Sequence, residues 1–264
     1  TSENTKMAYP FAAGPQTGQR EKNEDSYVCS NEKGLWMVAD GVGGLALGES
    51  ASAILSHTIS TMIFSGQGIN QSIEAAHLKV QEYSRTEVNG ANMGATLVLL
   101  YSSGTLYNVF WAGDCRAYLF NGNMSLLTRD HTHLQHLIDN GDLTEEEAAD
   151  DSRKNGITKA VGIQQLDTVR AESVSRNWQA NDKILMCSDG LSGYVPDEEI
   201  ARILDGPGSD QDHVDELIDT ALKAGSLDNI TVVLVAAPSY ITQDFDDSTA
   251  IPEDLDLNEF NRER

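Results

Sequence analysis

The stretch Gly94-Ala95-Thr96-Leu97-Val98-Leu99-Leu100-Tyr101-Ser102-Ser103-Gly104-Thr105-Leu106-Tyr107-Asn108-Val109-Phe110-Trp111-Ala112-Gly113-Asp114 holds two apolar runs joined by a turn. Residues 95–101 and 106–112 have the length and the β-branched or aromatic content of strands, and Ser102-Ser103-Gly104 supplies a hairpin turn between them. Similar runs recur at 27–29, 35–39, 116–120, 169–174, 184–187 and 230–236, and Asn121-Gly122-Asn123 offers a second hairpin turn. Helical spacing occurs in 211–224, where Val214, Leu217, Ile218, Ala221 and Leu222 form one stripe. It recurs in 50–64 through Ala51, Ile54, Leu55, Thr58, Met62 and Ile63, and more weakly in 73–83. Two adjacent helices early, many strands, then helices late do not alternate as βαβ units would. The pattern predicts an α+β sandwich with largely antiparallel sheets.

A chain of 264 residues can form one large domain with a sizeable core. Its 41 acidic against 18 basic residues give a net charge of −23, a surface that repels nucleic acid and anionic membranes. That charge either solvates the surface or gathers carboxylates around cations. No apolar run reaches the ~20 residues a membrane span requires. The first twenty residues lack a basic start followed by an apolar stretch, so no secretory signal is visible. Cys29, Cys115 and Cys187 are odd in number and none forms a C-x-x-C pair, so they read as small buried hydrophobes in a reducing compartment. A cytoplasmic protein is expected.

Between 130 and 162 the pattern turns polar and locally helical, with Thr144-Glu145-Glu146-Glu147 resembling a capping box, as expected of an insertion on the main body. From 242 to 264 the chain is an acidic tail of disordered character, leaving 1–241 as the folded unit.

The placement of certain aspartates carries the chemistry. Leu35-Trp36-Met37-Val38-Ala39 runs into Asp40-Gly41, Val109-Phe110-Trp111-Ala112 into Gly113-Asp114, and Ile184-Leu185-Met186-Cys187 through Ser188 into Asp189-Gly190. Asp228-Asn229 stands directly before the run 230–236. Any one of these could be ordinary Asp-Gly turn chemistry; four at the ends of apolar strands are harder to explain that way. If they converge, two carboxylates ~4 Å apart repel by roughly 4 kcal/mol at an effective dielectric near 20. Hard divalent cations with oxygen ligands would relieve such a cluster.

The ordered motifs give a resemblance. They are Arg20-x-x-Asn23-Glu24-Asp25, Val38-Ala39-Asp40-Gly41-x-Gly43-Gly44, Gly94-Ala95-Thr96 and Ala112-Gly113-Asp114-Cys115-Arg116-Ala117-Tyr118. There follow Leu127-Thr128-x-Asp130-His131, Thr158-Lys159-Ala160-Val161-Gly162, Cys187-Ser188-Asp189-Gly190-Leu191 and Asp228-Asn229-Ile230-Thr231-Val232. Over about 9–237 the chain resembles the bacterial branch of the type 2C (PPM) metal-dependent serine/threonine protein phosphatases. The resemblance implies a four-layer α-β-β-α sandwich. It also implies two core Mn²⁺ or Mg²⁺ ions and a third, weaker one. Asp40 would bridge the core ions, Asp189 and Asp228 would hold the first, and the Gly41 carbonyl the second, with Glu24 or Asp25 nearby directly or through water. Asp114 would hold the third ion beside a flap at about 130–162, and Arg20 would clamp the substrate phosphate. A metal-bridging water or hydroxide would then attack phosphorus directly, without a covalent phosphoenzyme. Partners would be phosphorylated proteins and a cognate Ser/Thr kinase system, with no nucleic acid or membrane, and the chain a monomer.

Two departures stand out. Animal members carry a histidine where this chain has Val42, which leaves the acid for the leaving group unassigned, and the family's usual serine after Asp114 is Cys115. Rival chemistries fit less well. A cysteine phosphatase needs Arg six positions after its Cys, where this chain has Leu35, Asn121 and Gly193. A dinucleotide fingerprint at Gly41-x-Gly43-x-x-Ala46 would press Asp40 against a pyrophosphate. His131-x-His133-x-x-His136 lacks the Asp a zinc hydrolase of that pattern needs at Gln135, and reads as a flap-edge helix with solvated histidines and a locally bonded His131. His57 and His77 read as structural or exposed. A phosphoprotein-binding scaffold of the same fold with weak catalysis is the non-enzymatic alternative.

Overall fold

The run 35–39 is uninterrupted because both of its faces are covered. Leu35, Met37 and Ala39 pack toward helices while Trp36 and Val38 pack toward a second sheet, and all five are fully buried. Burying a side chain of this size is worth about 1.5–3 kcal/mol against leaving it in water. A strand in such a position has no wet face and needs no alternation.

The computed structural model describes residues 11–43, 47–149 and 156–239. Its strands are β1 (Phe11–Gln16), β2 (Asp25–Ser30), β3 (Leu35–Val42), β4 (Gly94–Ser103), β5 (Leu106–Ala112), β6 (Arg116–Phe120), β7 (Met124–Leu126), β8 (Glu172–Asn177), β9 (Lys183–Cys187) and β10 (Ile230–Ala236). The helices are α1 (Leu47–Phe64), α2 (Ile69–Glu87), α3 (His133–Asp139), α4 (Glu145–Ala149), α5 (Asp189–Ser192), α6 (Asp197–Leu204) and α7 (Asp210–Lys223). One sheet has the order β2-β3-β4-β5-β8 and the other β1-β10-β9-β6-β7, with every pairing antiparallel. Trp36, Val98, Leu100, Val109, Met186, Val233 and Val235 interleave between the sheets. Ala51, Leu55, Ile59, Ile73 and Val80 of α1 and α2 cover the outer face of the first sheet. Leu191, Ile200, Ile203, Val214 and Leu217 of α5, α6 and α7 cover the second. The result is the expected four-layer α-β-β-α sandwich.

Local expectations mostly hold. Both hairpin turns form, with Gly104 and Gly122 at positive φ. Thr144 and Glu147 close their capping box, Thr144 N–H donating to Glu147 Oε2 at 2.8 Å and Glu147 N–H to Thr144 Oγ1 at 3.2 Å. The strand expected at 169–174 lies instead at Glu172–Asn177. It is the outermost strand of its sheet and mostly exposed, so little apolar pattern marks it, while Val169 is buried elsewhere with its N–H on Glu74. The polar insertion leaves the body after Asp130 and returns through the isolated bridges Thr132↔Ile157 and Ala95↔Val161. Part of it, residues 150–155, lies outside the described residues, as does the acidic tail 242–264.

Glycine matters at two positions near the strand ends. A Cβ on Gly41 would stand 2.1 Å from the Gly48 carbonyl, so the end of β3 can lie directly on the first turn of α1. Gly113, at φ +115°, lets the chain turn tightly over Thr96 as it leaves the first sheet for the second.

Candidate functional site

Five aspartates meet at one edge of the sandwich. Asp40, near the end of β3, stands directly across from Asp25 in β2 and Thr96 in β4. Asp114 occupies the turn where the chain crosses from β5 to β6, which lie in different sheets. Asp189 follows β9 and opens α5, and Asp228 precedes β10, so the second sheet delivers its acids to the same edge.

The crowding shows in the proton affinities of Asp25, Asp40, Asp114 and Asp189. Burial, then the charges of Asp25, Asp189, Asp114 and Asp228, hold Asp40 well above the ordinary carboxylate range. Burial pushes Asp25 up to about 6, against hydrogen bonds from Thr231 and Ser188 that favour its anion. Asp114 rises to about 8 through burial, Asp189 and Asp130, and Asp189 to about 6 through burial and Asp228, opposed by a hydrogen bond with Asp40. Ionising these acids together is costly, and added positive charge would offset that cost.

Asp25 also bolts the two sheets together. Its Oδ2 accepts from Ser188 Oγ at 2.8 Å, just past the end of β9, and from Thr231 Oγ1 at 2.7 Å in β10 of the opposite sheet. Its Oδ1 is buried without a partner, and so is Oδ1 of Asp189. Two orphaned carboxylate oxygens amid mutually repelling acids are what a hard divalent cation fits. Among the described residues, no three His, Cys, Asp or Glu side chains already close round one point as a finished ion cage.

Arg20 brings positive charge to this edge. Its Nη2 donates to Asp228 Oδ2 at 2.8 Å, while more than half of the side chain remains exposed. Asp228 above all, with Glu24 and Asp40 further off, raises the guanidinium's proton affinity. Glu24 borders the cluster, its carboxylate lying over Gly48 in the first turn of α1 and its backbone carbonyl accepting from Gly41 N–H at 3.2 Å. Of the residues singled out from the sequence, Asp25, Asp40, Asp114, Asp189 and Asp228 converge, Arg20 joins them through Asp228, and Glu24 and Gly41 form the border.

The sequence reading gave no role to several residues that hold these groups. Ser188 and Thr231 were visible as hydroxyls beside acid-bearing strand ends. Asn229 is buried against the 17–24 loop. His131 is bonded far from its own segment: its Nδ1 accepts from Gly113 N–H at 2.9 Å, and its Nε2 meets Glu172 Oε1 at 2.8 Å. That corrects the local bonding expected for it, while His133, His136 and His57 are exposed and His77 is fully buried.

Residues 16–228 match the family model described as Protein phosphatase 2C. The chain belongs to the protein phosphatase 2C family. It is 30% identical over 230 residues to the serine/threonine phosphatase stp of Listeria innocua, across 82% of this chain and 90% of that one. The crystal structure of the Mycobacterium tuberculosis serine/threonine phosphatase PstP/Ppp superposes with a TM-score of 0.79 at 31% identity, covering 87% of this chain and 99% of that one. The catalytic domain of a serine threonine protein phosphatase PstP in complex with 2 manganese ions matches with a TM-score of 0.77 at 30% identity, over 87% and 98% of the two chains.

Proposed function

We propose that this chain hydrolyses phosphoserine and phosphothreonine esters of other proteins with the help of bound divalent cations. The observation that carries the reading is the meeting of Asp25, Asp40, Asp114, Asp189 and Asp228 at one sheet edge, with two orphaned oxygens and Arg20 alongside. In this reading Asp40, Asp189, Asp228 and the Gly41 carbonyl hold two core ions, Glu24 and Asp25 border them directly or through water, and Asp114 holds a weaker third. When bound, Mn²⁺ or Mg²⁺ supplies the missing positive charge and readies water for direct attack on phosphorus. Arg20 binds the phosphate: its exposed guanidinium can turn from Asp228 toward two phosphate oxygens at once. The Ser188 and Thr231 hydroxyls keep Asp25 aimed, and His131 holds the Gly113–Asp114 turn.

The catalytic unit is assigned to 1–241, with 130–162 as a flap beside the site and 242–264 as an acidic tail. A Ser/Thr kinase system would supply the phosphoproteins, and the chain would act as a cytoplasmic monomer. No helix among the described residues is long and apolar enough to cross a membrane. The test is hydrolysis of p-nitrophenyl phosphate and of a phosphothreonine peptide with Mn²⁺ or Mg²⁺, before and after chelation. Turnover that stops with chelator and returns with either ion is expected; turnover indifferent to metal would overturn the reading.

A further inference from the structure

We infer that Asn229 is a positioning residue that templates the loop carrying Arg20 and so sets the affinity of the site for phosphate; this rests on Arg20 being the phosphate clamp. The loop between β1 and β2 has few bonds of its own: Arg20 N–H to the Thr17 carbonyl at 3.3 Å, and at its two ends Thr17 N–H to Gln16 Oε1 at 2.8 Å and Asp25 N–H to Asn23 Oδ1 at 3.0 Å. Asn229, only 2% exposed, ties the two ends of the loop together. Its Nδ2 donates to the carbonyls of Thr17 and Lys22, each at 2.9 Å, and its Oδ1 accepts from Glu24 N–H at 2.7 Å. Those contacts bracket Arg20 on both sides. Only one orientation of the amide satisfies them, since two carbonyls need donors and one N–H needs an acceptor.

The fit continues into the backbone. A Cβ on Gly18 would stand 2.1 Å from the Asp228 carbonyl, so the loop lies directly on the Asp228–Asn229 peptide. Asn229 N–H donates to Asp228 Oδ1 at 2.8 Å, and Arg20 takes Asp228 Oδ2 at the same distance. The side-chain amide of Asn229 thus holds the loop from which the guanidinium reaches, while its backbone N–H holds the carboxylate beside it. Without it, Arg20 would remain on the chain but sample many positions, and small displacements of a binding group cost affinity steeply.

The experiment compares Asn229→Ala, Arg20→Ala and the double variant with the unaltered full chain. Inorganic phosphate serves as competitive inhibitor of p-nitrophenyl phosphate hydrolysis, and Mn²⁺ affinity is read by calorimetry. Asn229→Ala should raise the Ki of phosphate and the KM together by about tenfold, leaving Mn²⁺ affinity within about twofold. In the Arg20→Ala background the same change should move Ki by less than about twofold. Should Asn229→Ala fail to fold, Asn229→Asp keeps the volume and the acceptor for Glu24 N–H while losing both donors, and carries the same comparison. An unchanged Ki, or an equal rise with Arg20 already removed, overturns the inference. If the unaltered chain neither hydrolyses the ester with Mn²⁺ nor is inhibited by phosphate, the parent reading fails instead.

Discussion

Stripped of divalent ions, this protein should lose stability as pH rises from 5 to 8. Asp25, Asp114 and Asp189 all have folded-state pKa values raised above the ordinary carboxylate value, to about 6, about 8 and about 6. A raised carboxyl pKa means the folded state binds the proton more tightly than the unfolded chain. Its stabilisation is fully present below the unfolded pKa and is lost as pH climbs through the folded one. For Asp25 alone, the shift from 3.8 to about 6 amounts to roughly 1–2 kcal/mol between pH 5 and pH 8. At about 2–4 °C per kcal/mol for a domain of this size, Tm falls by roughly 2–8 °C from that residue. His131, whose pKa is lowered by burial, works in the opposite direction below its unfolded value near 6.5, but three carboxyls outweigh one imidazole. The assay is calorimetric or urea unfolding in chelator across the window, on the unaltered chain and on Asp25→Asn. The slope should be negative, shallower in Asp25→Asn, and flattened by saturating Mn²⁺, which binds the deprotonated acids. A chelated protein whose stability is flat or rises from pH 5 to pH 8 refutes the picture of a strained, buried acid cluster.

Asp40→Asn or Asp189→Asn should reduce turnover by at least about a thousandfold while circular dichroism shows an intact fold; near-normal rates would remove the altered residue from the site. Asp114→Ala should cost about ten- to a hundredfold in activity yet leave two tightly held ions by calorimetry, and loss of both would sink the division of labour. Thr231→Val removes one of two hydroxyls on the Asp25 carboxylate without changing side-chain volume much. It should lower unfolding free energy by about 1.5–3 kcal/mol in urea titrations at pH 8, and Thr231→Ser should restore most of it.

The sequence made the fold legible where burial left a mark. Strands β3, β4, β5 and β10 are largely buried, so their runs are mostly apolar and could be delimited closely. Strand β1 escaped notice because it carries Gly14 and Pro15, which a central strand would not tolerate but an edge strand does. The three residues of β7 are too few for any period, and the exposed β8 was placed three residues early for want of an apolar face. At the site, the aspartates stood out because each ends a buried run. Ser188, Thr231, Asn229 and His131 did not, because their importance comes from partners more than 40 residues away or, for His131, across the crossover at Gly113. Spacing along the chain carries no trace of such pairings.

Because the acids come from both sheets, the site acts as a gauge of how the two halves of the sandwich are aligned. Asp25 and Asp40 ride on one half and Asp189 and Asp228 on the other, and the Asp25 link to Ser188 and Thr231 is the pin through both plates. A slip of the plates by a fraction of a residue's length could leave every ladder of backbone bonds intact and still scatter the carboxylates. Substitutions deep in the packing around Trp36 or Met186, far from any reacting atom, therefore have a direct route to the chemistry.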